Sequence, residues 1–225
     1  MSGLVLKTAP VDEPVSRTDA LLYLRQVSGT PDDALVDDLI AMATDQIENI
    51  TEYQFQDATY IQYFDGWPKY QLINSNTTDR IICLDKPPLQ SVTSIKYIDA
   101  DGNEQTVASS NYNVRNNKST ESIIEWDSDY TLPTLTDNRI DSVYVEYVCG
   151  WESWQSGVPG VPTWATQAIK LLVNEIYEHR LFQQEGNITG SLQQNSWAMQ
   201  LMRGHSINTP TAIGAGGSIP SPVIV

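Results

Sequence analysis

Glu175 and His179 stand four residues apart in the stretch VPTWATQAIKLLVNEIYEHRLF, and they come nearest to an acid–base pair in this sequence. Zinc chemistry of the HxxEH type fails, because no second histidine is nearby. A Glu/His pair at this spacing ordinarily serves as an ion pair, within a helix or between subunits. The other histidine, His205, falls in a loop and is expected to be solvated. Asp99, Asp101 and Asn103 resemble the start of a calcium loop. However, the glycine is at the fourth position rather than the sixth, and the twelfth is Ser110, so a hairpin turn is the better reading. Cys83 and Cys149 lack metal-ligand spacing and are expected to be reduced, half-buried thiols. GxSxG, Walker and GxGxxG patterns do not occur. The residues therefore predict no catalytic site, no cofactor and no metal.

The charge balance excludes a further class. The 225 residues carry 13 basic against 28 acidic side chains, a net charge of −15. The basic residues are scattered singly, without the clustered cations needed to grip phosphates. No apolar run approaches the ~18 residues of a membrane span, and the N-terminus has no basic region followed by an apolar core. Synthesis in the cytoplasm, without membrane contact, is the expectation.

The elements that must position these residues are legible as periods. Residues 161–182 form an amphipathic helix, with Trp164, Ala165, Ala168, Ile169, Leu172, Val173 and Ile176 on one side. Glu175 and His179 join that apolar side. Ser16 reads as an N-cap with Asp19 in a capping-box position, opening a short helix to about residue 26. Thr30-Pro31-Asp32-Asp33 restarts the chain as a second helix to about Thr51. Its Leu35, Val36, Leu39, Ile40, Met42, Ala43, Ile47 and Ile50 take one half of the wheel. Asp33, Asp37, Asp38, Asp45, Glu48 and Glu52 take the other. Residues 1–15 read as an extended leader. Between 55 and 148 the pattern turns to seven short strands, at 60–64, 80–84, 92–98, 104–107, 112–115, 122–126 and 142–148. Asp101-Gly102 marks a hairpin turn, and Pro87-Pro88 an extended approach to the third strand. A short apolar segment around 197–202 suggests one or two helical turns, and 206–225 is rich in Gly, Pro and Ser.

Several of these pieces, in order, carry a family resemblance. Asp32-Asp33 through Ile50-Thr51 is similar to a helix of pattern DDxLIxxLIxxAxxxxExxT. The run from Leu84 to Val92, LDKPPLQSV, continues through Ile95, Tyr97, Asp99 and Asp101-Gly102. Val143, Val145, Tyr147 and Gly150-Trp151 follow, then Val161-Pro162, Gln167-Ala168-Ile169 and Tyr177-Glu178-His179-Arg180. Together they resemble the head–tail connector (adaptor) proteins of tailed bacteriophages and related gene transfer particles. The resemblance spans roughly residues 8–203.

That resemblance implies a structural role in a virion neck: a homo-oligomeric ring below the portal protein that extends the DNA channel and docks the next neck or tail component. DNA would pass through without specific binding. The expected fold is α+β, a helical bundle of long amphipathic helices with an inserted small antiparallel β-sandwich or barrel and an extended C-terminal tail. The expected divisions are 1–53 and 151–205 for the helical domain, 54–150 for the β insertion, and 206–225 for the tail. Asp37, Asp45 and Glu48 are the candidates for an acidic channel lining, since residues 1–53 hold ten acids against three bases. Ile219, Val223 and Val225 are candidates for docking the tail on the portal or an adjacent subunit. The alternative reading is a carbohydrate- or ligand-binding β module carried on helices, to which the six Trp and eleven Tyr would lend themselves.

Overall fold

The computed structural model describes residues 2–26, 28, 29, 33–68, 70, 71, 77, 78, 80–117, 121–137, 139–151, 160–182, 198, 201, 202 and 205. These fall into two compact units. One contains the described residues of Met1–Ala9 and Ala58–Cys149, the other those of Pro10–Asp57 and Gly150–Ile207.

The first unit is built of strands whose alternation fixes which face is buried. Its five-stranded antiparallel sheet contains β1 (Ser2–Thr8), β2 (Ala58–Phe64), β6 (Leu89–Ile98), β7 (Glu104–Thr106) and β10 (Val143–Cys149), in the order β1-β2-β10-β6-β7. In β10, Val143, Val145, Tyr147 and Cys149 are fully buried while the residues between them are not, the period-two signature of a sheet with one covered face. A three-stranded antiparallel sheet has the order β5-β9-β8, from β5 (Ile81–Cys83), β8 (Tyr112–Asn117) and β9 (Glu121–Trp126). Ile82, Ile124 and Trp126 from this sheet share one core with Phe64, Leu89, Ile95, Val143 and Tyr147 from the larger one. Two residues each of β3 (Tyr70–Gln71) and β4 (Thr77–Thr78) make a small separate pair.

The second unit contains α1 (Arg17–Tyr23), α2 (Asp33–Thr51) and α3 (Thr163–Phe182). Ser16 caps α1, its Oγ accepting from the Asp19 N–H at 3.1 Å. Val36, Ala43 and Ile47 of α2 meet Ala165, Ala168, Ile169 and Val173 of α3 in a second core, which Ala198 and Met202 also join. The stripe on α3 repeats at three and four residues, so the helix buries one face and leaves Glu178 outside.

The expected bundle of long amphipathic helices with a β insertion is not what forms. Among the described residues the chain is mostly β, with ten strands against helices of 7, 19 and 20 residues. Nor does the strand-bearing part begin after the second helix. Residues 2–8, read from sequence as an extended leader, are the edge strand of the larger sheet, in antiparallel register from Ser2↔Phe64 to Leu6↔Tyr60. Two strongly periodic helices dominate a sequence reading, whereas strands joined across some 55 residues leave only a weak local signal.

Candidate interaction surfaces

The acidic half of α2 separates into members with different chemistry. Asp38 and Asp45 are exposed. Asp37 is gripped in a fork by Arg17, whose Nε donates to Oδ1 at 2.7 Å and whose Nη2 donates to Oδ2. The hydrogen bond and charge of that guanidinium hold the Asp37 carboxyl below its ordinary range. Glu48 is only 9 % exposed. Its Oε1 accepts from the Phe55 N–H at 2.7 Å and from Gln54 Nε2 at 2.9 Å. Past Thr51 the chain turns through Glu52, at φ 64°, and folds residues 53–55 back along this edge of the helix. Backbone donors brought there need an acceptor, and Glu48 supplies it. Met42, assigned to the apolar half of the wheel, is 46 % exposed. The buried arc is thus displaced toward the returning chain.

Glu13 lies near the same surface. Partial burial of its carboxyl raises its pKa although the residue as a whole stays exposed, and the charges of Asp45 and Asp37 push the same way.

On the β unit, the polar residues singled out from sequence act within the fold. Asp99 Oδ1 accepts from the backbone N–H of Asp101 at 3.0 Å and of Asn103 at 2.8 Å, and its Oδ2 accepts from Gln105 Nε2 at 2.8 Å. With Gly102 at φ +84° this makes the β6–β7 hairpin turn anticipated from the sequence. The LDKPPLQSV run is a tight connection from β5 into β6, with Lys86 at φ 55° and a cis bond between Pro87 and Pro88. Asp85 fastens it. Its N–H donates to Gln62 Oε1 and its Oδ2 accepts from Gln62 Nε2, both at 2.9 Å. Its carbonyl accepts from the Tyr147 hydroxyl at 2.8 Å, and burial pushes that phenol well above its ordinary pKa. Cys83 and Cys149 are buried thiols.

An open depression of about 710 Å³ is lined by Asp65, Trp67, Pro133, Leu135, Arg139 and Ile140, among others. Trp67 is committed there to structure. Its Nε1 donates to the Pro133 carbonyl at 2.9 Å, and its ring meets Trp126 edge-on at 5.4 Å. No group of three or more His, Cys, Asp or Glu among the described residues is placed to hold a metal ion. Glu175 is half-buried on α3, while the side chain of His179, the Thr30-Pro31-Asp32 cap and the tail residues Ile219, Val223 and Val225 lie outside the described residues. His205 is exposed and stacks flat on Trp164 at 4.3 Å. No described helix is long and apolar enough to cross a membrane.

The surface that sequence reasoning missed is the outer edge of β1. Among the described residues β1 pairs with β2 alone, and Val5 and Leu6 on it are 50 % and 47 % exposed. An apolar run before the first proline was the available signal.

No protein-family model matches the sequence, and no curated protein matches it either. Solved structures do. A chain in the neck of an empty gene transfer agent (GTA) particle, computed with C6 symmetry, superposes with a TM-score of 0.69 at 19 % identity, covering 95 % of this chain and 98 % of that one. A chain of the virion of a native GTA particle gives 0.62 at 19 % identity, again over 95 % and 98 %. A chain in the neck of a native GTA particle computed with C12 symmetry gives 0.60 at 18 %, over 94 % and 98 %. At such identities the likeness is one of fold, and it extends over nearly the whole of both chains: this protein has the fold of a chain found in the necks of phage-like particles.

Proposed function

We propose that this chain is a structural subunit of the neck of a phage-like particle. Copies form a ring beneath the portal, extend the DNA channel and dock the next neck or tail component. The observation that carries the reading is the near full-length fold likeness to chains of symmetric GTA necks. The polar clusters described above serve a turn, a connection between strands and the chain returning past α2, in keeping with a structural role. The acidity agrees as well. A ring of about twelve copies would carry on the order of −180 charges, and a conduit that repels phosphate lets DNA slide where cations would hold it. In this reading the exposed acids of α2, Asp45 and Asp38, face the channel together with the Arg17-paired Asp37, while Glu48 serves the fold.

The test mixes the purified protein with portal complexes of the same particle, followed by sedimentation and electron microscopy. A ring of copies stacked on the portal is expected. Failure to co-sediment, with no ring on the grids, refutes the reading.

A further inference from the structure

Among the described residues, one edge of the larger sheet lacks the devices that ordinarily protect an edge strand, namely prolines, outward charges or a covering element. Residues 3–6 of β1 are Gly-Leu-Val-Leu, uncharged and free of proline. The strand's one charge, Lys7, reaches across β2 to Glu146 at 2.7 Å and so lies over the sheet rather than beyond its edge. Leu6 is in register with Tyr60, which pairs with the buried Tyr147, so Leu6 belongs to the core-facing side. It is nevertheless 47 % exposed, and Val5 on the opposite face 50 %. Among the described residues no strand covers the core margin at this edge, and one more strand would cover it.

The sequence contains a segment with matching chemistry. Residues 208–225 hold no charged side chain, in a protein of net charge −15, and end in Ile219-Pro220-Ser221-Pro222-Val223-Ile224-Val225. In an extended strand the N–H groups of alternate residues point to opposite edges. Pro220 and Pro222 therefore remove donors from the same edge, whereas Ile219, Ser221, Val223 and Val225 keep all of theirs on the other. Such a strand can pair on one side and resists pairing on its second side. It adds to an edge and then closes it. Ile219, Val223 and Val225 also share one side-chain face, as strand addition requires.

We propose that residues 219–225 of one copy add to β1 of a neighbouring copy as a sixth strand of its larger sheet. An open edge and a separate strand that fills it are two different surfaces, which is what the head-to-tail contact of a closed ring demands. The choice of a neighbouring copy rests on the ring reading above.

Hydrogen exchange tests this on the full-length protein, free and assembled on portal complexes, by following the peptide covering residues 1–10. Exchange in that peptide should slow about tenfold on assembly. Deleting residues 219–225 should restore fast exchange, and so should Val223→Pro, which removes a donor from the pairing edge. Ile224→Pro removes one from the edge already lacking donors and should keep the protection. Slow exchange already in the free monomer would mean the chain's own tail fills the edge, overturning the proposal. So would protection that survives the deletion, or equal effects of the two proline variants. Rings that form with β1 unprotected overturn the strand pairing and leave the ring reading intact; absence of rings removes both.

Discussion

Replacing Glu48 with alanine should destabilise the helical unit more than any other single change on the acidic side of α2. Glu48 is 9 % exposed, and its carboxylate accepts from the Phe55 N–H at 2.7 Å and from Gln54 Nε2 at 2.9 Å. Hydrogen bonds to a charged acceptor contribute about 1.5–3 kcal/mol each, and the truncation also leaves the Phe55 N–H buried without this acceptor. The expected loss is about 3–5 kcal/mol, a large part of the roughly 5–15 kcal/mol available to a typical domain. For a chain of this size that corresponds to a fall in Tm of roughly 6–20 °C. Urea unfolding followed by tryptophan fluorescence suits the site, because Trp151 and Trp164 lie 5.8 and 5.9 Å from the Phe55 ring. Glu48→Gln keeps an oxygen acceptor and should lose only about 1–2 kcal/mol. Asp45→Ala, at an exposed position, should stay within about 0.5 kcal/mol of the parent. If Glu48→Ala and Asp45→Ala unfold at the same urea concentration, the assignment of Glu48 to the fold rather than to a charged surface is wrong.

Gly150→Ala should cost about 3 kcal/mol, since Gly150 sits at φ +112° and a Cβ there would lie 2.4 Å from the Gln56 carbonyl oxygen, a backbone atom that cannot swing away; a loss below about 1 kcal/mol in the same urea assay would refute that packing. Acid should weaken the fold: Asp37 is held below its ordinary pKa by Arg17, Asp99 by Gln105 and the Asn103 N–H, and Glu104 by Lys96 and Tyr144, and stability from lowered carboxyl pKa values is present above the unfolded values and lost as pH falls through the folded ones, here below about pH 4. Glu13 has the opposite sign, its raised pKa giving stability at low pH that is lost as pH rises, so Glu13→Gln should raise the urea midpoint at pH 7 and leave it unchanged at pH 3; no change at pH 7 would refute the partly buried, repelled carboxyl.

How much of this was legible in the sequence depends on whether the determining contact is local. Each of the seven strands expected between residues 55 and 148 is present, because alternation such as Val143, Val145, Tyr147 and Cys149 is a local pattern. The helices were legible from their apolar stripes, and α1 from the Ser16 cap. β1 was not, since its only partner strand among the described residues begins at Ala58 and its described side chains are mostly exposed. The helical wheel grouped Glu48 with the other acids of α2 because a wheel sees the helix alone. What buries Glu48 is the chain returning at residues 53–55. The fold class failed for a related reason: two long periodic segments outweighed many short strands. For the candidate site, the sequence showed which residues are acidic but not which of them the fold would use.

The LDKPPLQSV run shows how a distinctive motif can be informative about architecture. Asp85 uses its N–H, carboxylate and carbonyl on Gln62 and Tyr147, two strands of the sheet into which the run leads. A residue with three such obligations is poorly replaced. The same reasoning directs attention away from motifs when seeking the surfaces on which an assembly would act. Asp85, Asp99 and Glu48 are committed to turns and returning chain, so changes there should register as lost stability. Asp38, Asp45 and the apolar edge of β1 face outward, and Asp45→Ala should be nearly silent in unfolding. On the proposed reading as a neck subunit, residues whose replacement leaves the isolated protein intact are the ones whose effects would belong to the ring: the acids to the passage of DNA, and the strand edge to the neighbouring copy.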